Sequence, residues 1–180
     1  MTDLETPPAP SGGAPSAAGA AGAGLRHVDE RGRARMGDVG PGALTPRTAV
    51  AAGRVVPGEE AFRLVRENRV RKGDVLAAAQ VAGVLGAKQA SRLVPLCHDV
   101  LLQNVELDFE LNEADRAVEI RAITKTTGPT GVEMEALTAV SVAALTVYDM
   151  CKSVSKDLAI TDVRLLAKTG GQGGDYRRNG

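Results

Sequence analysis

Tryptophan is absent from this 180-residue sequence, and only two Phe and two Tyr supply its aromatic content. That scarcity excludes the base-stacking platforms that hold single-stranded nucleic acid. Net charge is lacking too, with 22 basic side chains balancing 22 acidic ones. A nucleic-acid polymer held by bulk electrostatics is therefore not the expected partner. Two Cys, Cys97 and Cys151, stand 54 positions apart and make no disulfide framework, so a reduced cytosolic setting is expected. Two His are poor material for a zinc site, and no metal or cofactor is expected. Long apolar runs are also missing. The longest uncharged stretch in the expected folded region, residues 136–148, has 13 residues against the roughly 20 a spanning helix needs. The first 24 residues carry Asp3 and Glu5 but no Lys or Arg, unlike a secretory signal or a transit peptide. The expectation is a soluble, cytoplasmic protein without a membrane partner.

What the sequence does have divides into two zones. Eighteen of the first 24 residues are Ala, Gly, Pro or Ser without helical or strand period. Residues 1–24 are therefore expected to be a disordered tail, and 25–180 a single domain. Ala, Val and Leu dominate the apolar content, which implies a core of closely approaching helices and strands.

Residues 46–56 read as a strand. Pro57-Gly-Glu-Glu opens a helix to about Asn68, with acids in the first turn where the helix dipole favours them. Gly73-Asp74 caps a second helix over about 75–91, with Val75, Ala78, Val81, Ala82 and Leu85 as its expected apolar stripe. Val105, Leu107, Phe109 and Leu111 alternate with polar neighbours, as do Val118, Ile120 and Ala122. A turn at 112–115 joins them into a hairpin. A Gly-Pro-Thr-Gly turn leads to a long apolar helix, about 132–154, then to a strand near 159–167 and a Gly-rich end at 170–174. This order predicts an α+β, ferredoxin-like antiparallel sheet with helices packed on one face.

The long helix is apolar nearly all round, so its charges need a reason. Asp149 and Lys152 lie three apart on one face and reach each other. A salt bridge at the helix end accounts for this spacing, and so does an acid/base pair tuned by partial burial. Glu133 and Glu135 begin the same helix, where dipole complementation is the plain explanation. Glu135 and Asp149 are separated by about 21 Å along the axis, so one small substrate does not touch both on one chain. Either two sites exist or one site is assembled from two subunits. His98, after Cys97, sits on a loop where surface His are common. Lys72 and the 127–131 turn precede helix N-termini, which expose N–H groups that hold phosphate. Lys168 precedes the Gly-rich end.

The run Gly131-Val-Glu-Met-Glu-Ala-Leu-Thr-Ala-Val-Ser-Val-Ala-Ala-Leu-Thr-Val-Tyr-Asp-Met-Cys-Lys152 closely resembles the signature of the cyclic pyranopterin monophosphate synthase family. Lys72-Gly-Asp, Leu93-Val-Pro-Leu-Cys-His98 and Val163-Arg-Leu-Leu-Ala-Lys168-Thr-Gly-Gly171 support it, as do His27-Val-Asp and Arg35-Met36-Gly-Asp-Val39. Coverage runs from about residue 25 to 178.

The resemblance implies a lyase of molybdenum cofactor biosynthesis. Its substrate would be 3′,8-cyclo-7,8-dihydro-GTP, made by a radical S-adenosylmethionine GTP cyclase. Its products would be cyclic pyranopterin monophosphate and pyrophosphate. By the same resemblance, Asp149 and Lys152 match the catalytic pair, while Leu96, Cys97, His98, Met134 and Glu135 match substrate-binding segments. Lys72, Lys168 and Arg47 match pocket cations, and Glu133 falls within the signature beside them. A homohexamer, a trimer of dimers with the site at the dimer interface, is implied.

Three departures stand out. Asp99 replaces the family's usual Pro, Gln172 and Gly173 replace a Lys and a Ser, and Gly37 and Gly40 replace bulkier residues. The first two changes also fit a catalytically weak relative kept as a scaffold, whereas the intact Asp149 and Lys152 oppose that reading.

Overall fold

A computed structural model describes residues 31–40 and 42–179; the expected tail, residues 1–24, lies outside the described residues. The chain runs β1 (Thr45–Val56), α1 (Glu59–Arg66), α2 (Val75–Ala87), α3 (Ala90–Leu93), β2 (Asn104–Asn112), β3 (Ala117–Gly128), α4 (Glu133–Cys151), β4 (Ala159–Thr169), β5 (Tyr176–Arg177). The strands form one antiparallel sheet in the order β2-β3-β1-β4-β5. This is the expected α+β arrangement, with helices on the sheet. The two-residue edge strand β5 has no sequence signal of its own, being too short to alternate.

Local chemistry sets the element ends. Asp74 accepts from the Ala77 N–H at 3.0 Å and caps α2. Asn112 Oδ1 accepts from the Asp115 N–H at 3.1 Å, and Arg116 takes a left-handed φ of 49°, closing the β2–β3 turn. Thr124 donates to the Val132 carbonyl at 2.9 Å and ties β3 to the start of α4.

The core lies between the sheet and α4. Ala49, Ala51 and Val55 of β1 and Val118, Ile120 and Ala122 of β3 are buried on the helix side. Val140, Ala143, Ala144 and Val147 of α4 are buried with them. Each fully buried Val or Ile contributes about 1.5–3 kcal/mol. The 19-residue α4 is long and apolar enough to cross a membrane by length and composition. The sequence count of 13 stopped at charges that α4 carries near its ends. A core helix laid on a sheet needs the same composition.

The stripe expected on α2 holds only in part: Val75 is buried and Ala78 and Ala82 are half-buried. Val81 and Leu85 are exposed, and the buried positions are Val75, Ala79, Gly83, Gly86 and Ala87. The reason is steric. A Cβ on Gly83 would meet Leu107 Cδ2 at 2.4 Å and the Ala139 carbonyl at 3.1 Å, and one on Gly86 would meet Val142 Cβ at 2.8 Å. Glycine lets α2 approach α4 so closely that the larger residues turn outward. The helix also ends at Ala87 rather than 91, and α3 continues as a separate turn.

Candidate active site

The site residues gather at the two ends of α4. At its C-terminal end, the loop before α2 turns at Gly73, whose φ of 104° is left-handed, and brings Lys72 against the helix. Lys72 Nζ donates to Asp149 Oδ2 and to the Asp149 carbonyl, both at 2.8 Å. Lys152 Nζ, one turn along, lies 2.6 Å from Asp149 Oδ1. The two ammonium groups, Lys152 first and Lys72 second, hold the Asp149 carboxyl down to about 2. Asp149 in turn raises the Lys152 ammonium above its usual range. At neutral pH this is a carboxylate clamped between two cations. The salt bridge expected from spacing is present, and a third charge from a distant loop completes it.

At the N-terminal end, Glu135 is buried to 3% exposure in the first turn of α4. Cys97 Sγ donates to its Oε1 at 3.7 Å, while the buried Oε2 has no partner among the described residues. Burial raises the Glu135 carboxyl above the ordinary carboxylate range. Burial, with Glu135 beside it, pushes the Cys97 thiol up to about 11. Leu96 and His98 flank Cys97, half-buried, and a His98 ring nitrogen meets the Gly37 carbonyl at 2.7 Å. Met134 is 37% exposed beside them. Glu133 folds back over Gly131, where a Cβ would stand 1.9 Å from Oε2.

Next to this end opens a cavity of about 800 Å³ lined by Thr45, Arg47, Thr130, Lys168 and the 170–173 loop. Arg47 spends two N–H groups on the Gly128 and Pro129 carbonyls, each at 3.3 Å. Gly170 and Gly171 wrap it in left-handed conformation, φ 85° and 88°; a Cβ on Gly171 would lie 2.0 Å from Arg47 Nη1. Among the described residues Lys168 Nζ reaches only the Gly170 carbonyl, at 3.5 Å. Among the described residues neither cation has a carboxylate partner, an arrangement suited to an anion that brings its own charge.

Several contributors escape sequence reasoning. Thr45 Oγ1 is buried at the cavity wall and has no partner among the described residues. Asp175 accepts from the Gly170 N–H at 2.9 Å and pins the Gly-rich loop. Asp99 accepts from Ser91 Oγ and does not line the cavity. Only Thr45, two positions before Arg47 on one strand face, carried a signal that could have found it.

Two groups thus form. Lys72, Asp149 and Lys152 make one; Leu96, Cys97, His98, Glu133, Met134 and Glu135 make the other, and Arg47 and Lys168 line the cavity next to it, whose described lining includes none of those six. Fourteen residues of helix, about 21 Å, separate Glu135 from Asp149.

The MoaC family model matches residues 36–171. The chain is 60% identical over 153 residues to the cyclic pyranopterin monophosphate synthase of Salinibacter ruber, covering 85% of this chain and 90% of that one. Identity to the Heliobacterium modesticaldum enzyme of the same name is 55% over 154 residues, covering 86% and 97%. Molybdenum cofactor biosynthesis protein 1 of Mus musculus is 51% identical over 177 residues, which are 98% of this chain but 27% of that longer protein.

Proposed function

The chain belongs to the MoaC family, and from that premise we propose that it converts 3′,8-cyclo-7,8-dihydro-GTP to cyclic pyranopterin monophosphate, releasing pyrophosphate in the second step of molybdenum cofactor biosynthesis. A radical S-adenosylmethionine GTP cyclase supplies the substrate. The reaction is that of a phosphorus–oxygen lyase in the cytoplasm, carried by residues 25–180.

The carrying observation is the Lys72–Asp149–Lys152 cluster. Repeated proton transfers are needed to open the purine-derived ring and close the new one, and Lys152 presents an ammonium for them that a fixed carboxylate holds in place. With its carboxyl near 2, Asp149 is too weak a base at neutral pH and instead orients both lysines. Arg47 and Lys168 hold the triphosphate and stabilise the pyrophosphate as it leaves, aided by the Thr45 hydroxyl. Glu133, Met134, Glu135 and the Leu96-Cys97-His98 loop hold the ring system.

Each site takes one cluster from each of two chains in a dimer, and three dimers make the hexamer. The separation of the clusters along α4 supports this, as do exposed Val81, Leu85 and Leu145 on α2 and α4, available for burial between copies.

Purified protein supplied with the cyclised GTP intermediate should form the cyclic product, read as its oxidised fluorescent derivative. Lys152→Ala should lower turnover by about 10²–10⁴. A folded oligomer without turnover, under conditions where the Salinibacter ruber relative works, would overturn the assignment.

A further inference from the structure

Helices cover one face of the sheet, and the other carries a second cationic cavity. Directly paired residues in antiparallel strands point to the same face. Ala52 of β1 pairs with Arg121 of β3 on one side and Arg164 of β4 on the other. These two guanidinium groups therefore flank one small side chain from strands about 10 Å apart. Two residues back, Val50 pairs with Ala167, and Ala167 pairs with Arg177 of β5. Three arginines thus stand around a floor of Val50 and Ala167, and Arg178 closes the rim of a cavity of about 710 Å³.

Few counter-charges answer them. Among the described residues Asp162 is the one acid in the lining; its carboxylate accepts from Thr161 at 2.9 Å, and its carbonyl accepts from Arg164 at 2.6 Å. Arg178 donates to the Leu165 carbonyl. The side chains of Arg121 and Arg177 have no hydrogen-bond or ion-pair partner among the described residues. Asp108 stands opposite Arg121 in the β2–β3 register yet forms no ion pair with it. Like charges set around one cavity repel, so leaving them uncompensated is a cost that a bound anion removes. Guanidinium forks match phosphate oxygens bidentately, and several forks around a small-residue floor favour an anion with more than one charge.

We propose that the helix-free face of the sheet holds a binding site for a di- or triphosphate group, formed by Arg121, Arg164, Arg177 and Arg178 and separate from the Arg47–Lys168 cavity. Free pyrophosphate and the phosphate chain of a nucleotide share this chemistry, and the experiment separates them.

Full-length protein is titrated by calorimetry at low salt, once with sodium pyrophosphate and once with GTP. The expected result is a binding class that survives in Lys168→Ala but weakens at least about tenfold in Arg121→Ser/Arg164→Ser. Turnover of the double variant at saturating substrate should stay within about twofold of wild type, because neither residue lies in the catalytic clusters. The tighter of the two titrants identifies the source. Arg177→Ser, on the short edge strand, serves as the second variant if the double one melts early. Equal pyrophosphate binding by wild type and both arginine variants would overturn the site. So would loss of all binding in Lys168→Ala. Dissociation of the oligomer in the double variant, with no second binding class in wild type, would assign the face to a second copy of the chain and also overturn the proposal.

Discussion

Glu135 and Asp149 are carboxylates on one helix with opposite electrostatics. Asp149 is 55% exposed and flanked by two ammonium groups, which favour its charged form. Glu135 is buried, with a thiol as its side-chain donor and one oxygen unpaired among the described residues, so its charged form is disfavoured. The raised carboxyl has a definite consequence for stability. Where the folded state binds more protons than the unfolded one, stability falls as pH rises. The window opens near 4.5, the ordinary value for this carboxyl, and extends upward to its raised value. Wild-type protein should lose stability across that window, measured by urea unfolding at successive pH values. Glu135→Gln, which does not titrate, should lack that part of the slope. An unchanged slope in the variant would show that Glu135 ionises freely in the folded protein. Asp149 acts in the opposite sense: its contribution is present above about 3.8, the ordinary value, and is lost only as pH falls through about 2.

At the scale of elements, the contact of α2 with α4 rests on what is missing from two side chains. Gly→Ala in a helix interior ordinarily gains about 1 kcal/mol. At Gly86 the added methyl would meet Val142 Cβ at 2.8 Å, and a β-carbon fixed to its backbone cannot swing away. Gly86→Ala should therefore destabilise by about 1–3 kcal/mol as an overpacked contact, seen as a lower urea midpoint with an unchanged m-value. Gly83→Ala should cost less, because the 2.4 Å contact there is with the end of the Leu107 side chain, which can rotate. The same glycines explain which parts of the fold were legible. The β2–β3 hairpin follows from alternation, and α4 from an unbroken apolar run. The α2 stripe does not, since periodicity assigns the inner face to the largest side chains and here the smallest take it. The site shows the same limit. The spacing of Asp149 and Lys152 is local and readable, whereas Lys72 joins them across 77 positions and Cys97 meets Glu135 across 38. Family resemblance named those residues; only the fold places them in contact.

At the scale of the molecule, the proposed shared site makes each chain the carrier of two halves of one chemistry. The Arg47–Lys168 cavity sits at one end of α4 and the Lys72–Asp149–Lys152 cluster at the other, and no bending of a core helix brings them together. A two-fold axis setting two α4 helices antiparallel would solve this, since an isologous contact would put the end of one helix beside the start of the other. Glu135→Ala and Asp149→Ala chains should each be inactive alone. In a mixed dimer, one site receives Glu135 and Asp149 intact, and the other receives both substitutions. If equal amounts are unfolded together and refolded, half of the dimers are mixed and each holds one good site of two. Activity should then return to about a quarter of wild type for random pairing in an isologous dimer. Recovery near that value requires that the two carboxylates of one site come from different chains. If refolded mixtures remain inactive while each parent still assembles, both halves must serve a site within one chain, and the shared-site reading fails.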